Sequence, residues 1–250
     1  MNTFFLDRLN SEPHALAFAG QSTPWPVALA DQSANPALDE ALHTHAAAAQ
    51  ALLYPVSAEL LATTGRPVDL FGFEPNPARL GAAAAASASV PGIALTQLGA
   101  LLDAAALGYN PAQAKPVAVL GHSQGVLAVH MVQAICEAGS IDAAAAKIDE
   151  ILAIATLIGV AGTRQARQLG LAARHGEATP MLSVKDITRV QVDALIERVD
   201  GARGPIAVAV TNSATHYVLS GYPEDLAAFG VEVAKEHKRQ AKLREEKVRG

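Results

Sequence analysis

A chain of 250 residues can bury one large core and leaves room for a smaller appended lobe. Nineteen basic against 24 acidic residues give a net charge of −5, which excludes the basic footprint of a nucleic-acid or anionic-membrane binder. The single cysteine, Cys136, excludes an internal disulfide and fits a reducing, cytoplasmic setting.

Met1 to Pro13 reads as a polar lead-in, with no charged start and apolar run of the kind a signal peptide shows. His14 to Ala19 is a short buried strand, broken by the Gly/Pro-punctuated loop Gly20-Gln21-Ser22-Thr23-Pro24-Trp25-Pro26. Helical spacing runs from Pro36 to about Thr64, interrupted near Pro55, and Gly65 to Pro77 is a loop. The Ala/Ser-rich stretch Leu80 to Val90 is loop or weak helix. Ile93 to Leu107 is an amphipathic helix closed by Gly108. Helical patterns follow after Ser123 to about Ala138, where Cys136 reads as a small buried residue, and from Ala143 to about Leu169, with room for a break at Gly159 or Gly162. No run of about eighteen uninterrupted apolar residues occurs, so no membrane span is expected.

Beyond His175 the order changes. Strands at Pro180–Val184, Ile206–Val210 and His216–Ser220, with helices at Thr188–Val199 and Pro223–Lys238, make a β-α-β-β-α series. That is the ferredoxin-like unit less its last strand. The domains are therefore a core over 1–175, a small lobe over 176–235, and a charged helical tail over 236–250.

The chemistry centres on Pro116 to His130. An apolar, β-branched run enters Gly121-His122-Ser123-Gln124-Gly125, and an Ala/Val/Leu helical pattern leaves it. Strand, sharp turn and helix are the context in which Gly-X-Ser-X-Gly forms a nucleophile elbow. A Cβ at Gly121 or Gly125 would collide with the neighbouring strand or helix. The helix N-terminus would aid an oxyanion beside Ser123, and the N–H of Gln124 is one donor for it. A tight strand-to-helix turn that merely carries a serine would have the same sequence. No metal site is expected.

Gly20-Gln21-Ser22, the elbow, and the βαββα lobe ending Val218-Leu219-Ser220-Gly221 resemble the acyl-CoA:acyl-carrier-protein (ACP) transacylase family. Pro91–Leu98, Leu157–Val160 and Pro180–Val184 narrow the resemblance to the N-terminal acetyltransferase (starter) domain of type I fatty acid synthases of the fungal and, by preference here, bacterial (actinobacterial) type. The resemblance implies an α/β-hydrolase-like parallel-sheet core with an inserted ferredoxin-like lobe. It implies a cytoplasmic acyltransferase of the EC 2.3.1 type with no permanently bound cofactor. An acetyl group would pass from acyl-CoA to Ser123 and on to the phosphopantetheine of ACP, with other synthase domains as partners. Gln21 would be the second oxyanion donor, and His122 would support the motif without acting as base.

The family's histidine follows the small lobe in a Phe-His motif, and none of the eight histidines here matches it. The expectation is a chain cut before its general base, weak or inactive alone, with His216 the outside candidate. Malonyl-specific relatives carry an arginine in the long helix after the elbow. The aligned position here is Ile158, which implies an apolar pocket for a neutral acyl group. Three alternatives stay open: a malonyl or palmitoyl transferase on the same fold, an α/β-hydrolase serine esterase, and an inactive scaffold fragment.

Overall fold

Two apolar runs a hundred residues apart pair with each other and set the frame of the first half of the chain. β1 (Ala15–Phe18) and β2 (Ala118–Gly121) lie parallel, with Ala15 opposite Ala118 and Phe18 opposite Gly121. The structure, a computed structural model, describes residues 3–20, 24–53, 69–72, 86–168, 181–199 and 204–249. Among the described residues this pair represents the parallel sheet expected of the core. Contacts divide the chain into a first unit built on Met1–Gln168 and a second on Glu177–Gly250.

In the first unit, helices pack around the strand pair. α1 (Thr3–Ser11) occupies what the sequence suggests is a polar lead-in. Local bonds hold it: Ser11 Oγ donates to the Asp7 carbonyl at 2.6 Å, and Arg8 pairs with Glu12 at 2.7 Å. α2 (Trp25–Ser33) is a second helix that hydrophobic spacing does not announce, because Pro24 and Pro26 read as loop while Pro26 is tolerated in a first turn. α3 (Pro36–Leu53) matches the helical spacing there. The expected continuation to Thr64 and most of the 65–77 loop lie outside the described residues.

α4 (Ala86–Ala106) is the central helix of this unit. It begins seven residues before the expected Ile93, within the Ala/Ser-rich stretch read as loop or weak helix. Pro91 lies in its second turn, where the missing N–H costs one intrahelical bond near the helix start. By length and composition α4 could cross a membrane, but 72% of its most apolar window is buried inside the fold. After a one-turn helix α5 (Pro111–Ala114) and β2, α6 (Val126–Ala138) and α7 (Ile141–Gln168) form an antiparallel pair. Their connection is Gly139 at φ 90°, the left-handed conformation that glycine takes without strain.

α7 runs unbroken through Gly159 and Gly162, where the sequence leaves room for a break. A Cβ at Gly159 would run into the Ala86 carbonyl oxygen, so the glycine serves close packing of α7 on α4 and the helix continues through it. The core joins Leu42 and Leu53 of α3, Leu98 of α4, Ile135 of α6, and Ile148 and Leu152 of α7. A half-buried polar brace lies at its edge: His45 of α3, 8% exposed, meets Asp149 of α7 at 2.7 Å. Cys136, expected inside, is exposed on α6; partial burial and the neighbouring Glu137 raise its pKa, which keeps the thiol protonated.

The second unit is an open-faced sheet with two helices. β3 (Met181–Lys185), α8 (Arg189–Val199), β4 (Ala207–Ser213), β5 (His216–Ser220) and α9 (Pro223–Arg249) follow the expected series. The sheet is antiparallel in the order β3-β5-β4, with β5 inserted between the strands that flank α8. Leu195, Leu219 and Phe229 centre its core. The charged run is no separate tail, because α9 carries it as one continuous helix to Arg249.

A carboxylate ties α8 to α9. Arg239 grips Glu236 with two hydrogen bonds of 2.8 and 2.9 Å, and Gln191 of α8 donates a third at 3.0 Å. The Arg239 bonds, aided by Gln240 and Gln191, hold the Glu236 carboxyl down at about 2. A carboxyl pKa lower in the folded state gives stability that is full above the ordinary carboxylate range and lost as pH falls through the folded value. The stability difference between the wild type and Glu236→Gln at pH 7 is therefore expected to shrink between about pH 4.5 and 2. Denaturant titrations at several pH values, followed by a probe in this unit, check it; a difference independent of pH is the contrary result.

Candidate active site

The turn after β2 is one of the places where a non-glycine residue takes a positive φ. Ser123 has φ 54°, a left-handed conformation that costs a non-glycine residue on the order of 1 kcal/mol or more. The surroundings impose it. The His122 N–H donates to the Phe18 carbonyl at 3.0 Å and the Gly125 N–H to the His122 carbonyl at 2.9 Å. Ser123–Gly125 form a single tight helical turn that runs into α6. Ser123 is exposed at its tip.

Two glycines make the turn possible. A Cβ on Gly121 would lie 2.5 Å from the Gly125 carbonyl carbon and 2.6 Å from the Val126 nitrogen. A Cβ on Gly125 would run into the Phe18 carbonyl oxygen and come within 2.8 Å of the Phe18 carbonyl carbon. The turn is thus folded against both the start of α6 and the end of β1. A third glycine completes the site: a Cβ on Gly20 would sit 2.8 Å from Ser123 Cβ and 3.3 Å from the Gln124 nitrogen. The end of β1 therefore lies flush against the serine and the N–H that would meet an oxyanion. The chemistry this supports is attack by Ser Oγ on a carbonyl carbon, with backbone donors and a helix N-terminus where negative charge would develop.

Other expected site residues fall in different places. Gln21 lies outside the described residues. Gln124 is half-buried, with its side-chain oxygen enclosed and unpartnered among the described residues. His122 is exposed and extended, at the entry to the turn. His14 bonds the Tyr109 hydroxyl at 2.8 Å, His43 stacks on Phe71 at 3.7 Å, and His45 holds Asp149. His130 stands seven residues beyond Ser123, about 10 Å along α6. His216 belongs to the second unit, where its Nε2 lies 2.9 Å from Ser183 Oγ, in hydrogen-bond contact, and 3.4 Å from Asn212 Nδ2.

Ile158 is 52% exposed, so it is no part of the core. It lies with Ile154 and Leu157 on the outer face of α7, three apolar side chains at helical spacing that are all half-exposed. In the antiparallel pair, the rise of ~1.5 Å per residue brings α7 near Ala153 level with Val126, where α6 leaves the serine turn. Val126 is exposed there too. Apolar surface therefore stands at the elbow end of the helix pair. Between Glu150 and Arg164 the sequence of α7 carries no charge.

Sequence reasoning missed one polar residue close to the turn. Gln97, on the buried face of α4, donates from Nε2 to the Ala19 carbonyl at 2.5 Å. The signal is a glutamine between Leu95 and Leu98 in an otherwise apolar run.

A family model described as starter unit:ACP transacylase in aflatoxin biosynthesis matches residues 74–247. The chain is 30% identical over 128 residues to the fatty acid synthase beta subunit hexB of Dothistroma septosporum, a match that covers 46% of this chain and 7% of that one. Among solved structures, it is similar to the malonyl CoA-acyl carrier protein transacylase of Coxiella burnetii (TM-score 0.53, 18% identity, 90% of this chain and 58% of the other). It is also similar to an acyl carrier protein S-malonyltransferase of Vibrio cholerae (TM-score 0.51, 16% identity, 90% and 60%). The chain thus spans little more than half the length of these structures and a small part of the synthase subunit. At such identities the structural likeness shows a shared mixed α/β fold.

Gly125→Ala is expected to cost about 1–3 kcal/mol, as an overpacked core substitution does, because β1 and the turn must move apart. Chemical denaturation measures the loss, and unchanged stability would mean that the turn is not wedged against Phe18.

Proposed function

The chain belongs to the starter unit:ACP transacylase family, and from that premise we propose that it carries a neutral acyl group, acetyl in the first instance, from acyl-CoA to ACP through an ester on Ser123. The observation that carries the reading is the serine turn itself, with a nucleophile at φ 54° between the Gln124 N–H and the flush backbone at Gly20. The Oγ attacks the thioester carbonyl, the tetrahedral oxyanion faces backbone donors, and the CoA thiol leaves. The phosphopantetheine thiol of ACP then repeats the sequence on the ester. Gln124 and Gln21 are the proposed donors, and Gly121, His122 and Gly125 hold the turn. No resident cofactor is needed, since both carriers are substrates.

The acyl preference rests on α7. α7 carries no charge between Glu150 and Arg164, so it offers no guanidinium there to pair with a malonyl carboxylate. Malonyl transfer on the same fold is the second reading, favoured by the activities named for the two structural relatives.

The general base is proposed to come from residues outside this sequence, in a type I synthase of the bacterial kind acting in the cytoplasm. In the first unit His14, His43 and His45 are committed to Tyr109, Phe71 and Asp149. His216 is kept as the in-chain candidate.

Incubation with acetyl-, malonyl- and palmitoyl-CoA, followed by intact and peptide mass spectrometry, tests the proposal. An acetyl adduct on Ser123, absent from Ser123→Ala, is expected. Ile158→Arg should raise malonyl labelling relative to acetyl about ten- to a hundredfold, the worth of one charged hydrogen-bonded pair. Faster malonyl than acetyl labelling of the wild type would overturn the neutral preference.

A further inference from the structure

The Gly20 backbone touches the serine turn two residues beyond the last strand pair. β1 pairs with β2 only as far as Phe18, and Ala19 and Gly20 lie beyond the ladder. Their placement comes from behind, from α4. Gln97, 8% exposed, donates its amide N–H to the Ala19 carbonyl. That oxygen belongs to the same rigid peptide unit as the Gly20 nitrogen, so gripping one end of the plane sets the direction of the other.

The same helix also holds the chain where it resumes as α2. The Trp25 ring packs on Gly92 so closely that a Cβ there would come within 2.5 Å of the indole. One turn past Gly92, Gln32 Nε2 donates to the Thr96 carbonyl at 2.9 Å, and Gly99 admits the Gln32 amide. Residues Ala19 and Trp25 are therefore fastened to points on α4 five residues apart, about 7.5 Å along its axis. A buried helix is a rigid support, and a donor for a developing charge works only if it is held in place before the charge appears.

We propose that Gln97 is a positioning residue for the acyl-transfer centre, setting the Ala19–Gly20 peptide against Ser123 and Gln124 so that the wall of the oxyanion site opposite Gln124 is preorganised. Gln97 does not touch the acyl group; it acts through the backbone it holds. Its side-chain oxygen is buried without a partner among the described residues, and the amide N–H is the end that binds the backbone. The proposal rests on the acyl-serine reading of the site, and its test separates the two.

The probe is p-nitrophenyl acetate, an activated ester that needs an oxyanion site but neither CoA nor ACP. Gln97→Met keeps length and volume and removes the donor; Gln97→Ala is the second variant should methionine pack poorly. Acetylation of Ser123 in Gln97→Met is expected to slow roughly ten- to a hundredfold, a fraction of what loss of a whole oxyanion donor costs. In a Ser123→Cys background, alkylation at that position by iodoacetamide passes through no oxyanion, and adding Gln97→Met is expected to leave its rate unchanged. Peptide mass spectrometry reads both reactions at the one site. Equal p-nitrophenyl acetate rates in wild type and Gln97→Met overturn the proposal. So does an equal slowing of iodoacetamide alkylation, which would mean that Gln97 shapes the turn rather than the oxyanion wall. Failure of acyl-CoA labelling alongside a retained Gln97 effect on the ester would sink the CoA reading and leave this one standing.

Discussion

The first unit depends on one close backbone approach, that of the Gly121–Gly125 turn to the end of β1. Where a Cβ at Gly125 would strike the Phe18 carbonyl, the chain instead lets α6 start directly beside the strand pair. Ser123 is forced into the left-handed region as a consequence, and its hydroxyl is left at an exposed tip. The strain is local and the support broad: a hydrogen bond to Phe18, one within the turn, and the packing of α6 on α7. Strained residues persist only where their surroundings over-determine them, and such places are commonly sites of chemistry.

Behind this turn α4 does two jobs. Its apolar face is the middle of the core, with Ile93, Leu95 and Leu98 all fully buried. Its few polar or side-chain-free positions, Gly92, Thr96, Gln97 and Gly99, hold the ends of the Gly20 loop. Stability and positioning of the site are therefore vested in the same helix. α7 divides its surface in a similar way, packing one face on α4 through Gly159 and leaving Ile154, Leu157 and Ile158 on the other. The second unit is a self-contained split β-α-β arrangement whose helices are tied by Glu236, and His216 with Ser183 lies on its sheet.

Much of this is legible in the residues alone. The elbow is written as Gly-X-Ser-X-Gly between a β-branched run and a helical pattern, and a steric argument on its glycines needs only the residue types. The βαββα series follows from period-two and period-3.6 patterns, since Tyr217 and Leu219 alternate inward while Val192 and Leu195 share a helix face. α1 and α2 are not legible, because polar composition and two prolines outweigh weak local propensity until tertiary contacts supply the balance. Gly159 misleads for the opposite reason. A glycine in a helix signals a break in isolation and close packing in context.

By itself, then, the chain determined its class of fold, the Gly-X-Ser-X-Gly turn between strand and helix, and the absence of charge along α7 between Glu150 and Arg164, because these follow from local pattern and composition. Only the tertiary structure decided that Gly20 lies against Ser123, that Gln97 holds the Ala19 carbonyl, and that His45 is spent on Asp149. Each of these joins residues far apart in sequence. A hydrogen bond or a missing Cβ at such separation leaves no periodic trace, and it exists only once the helices that carry it have packed.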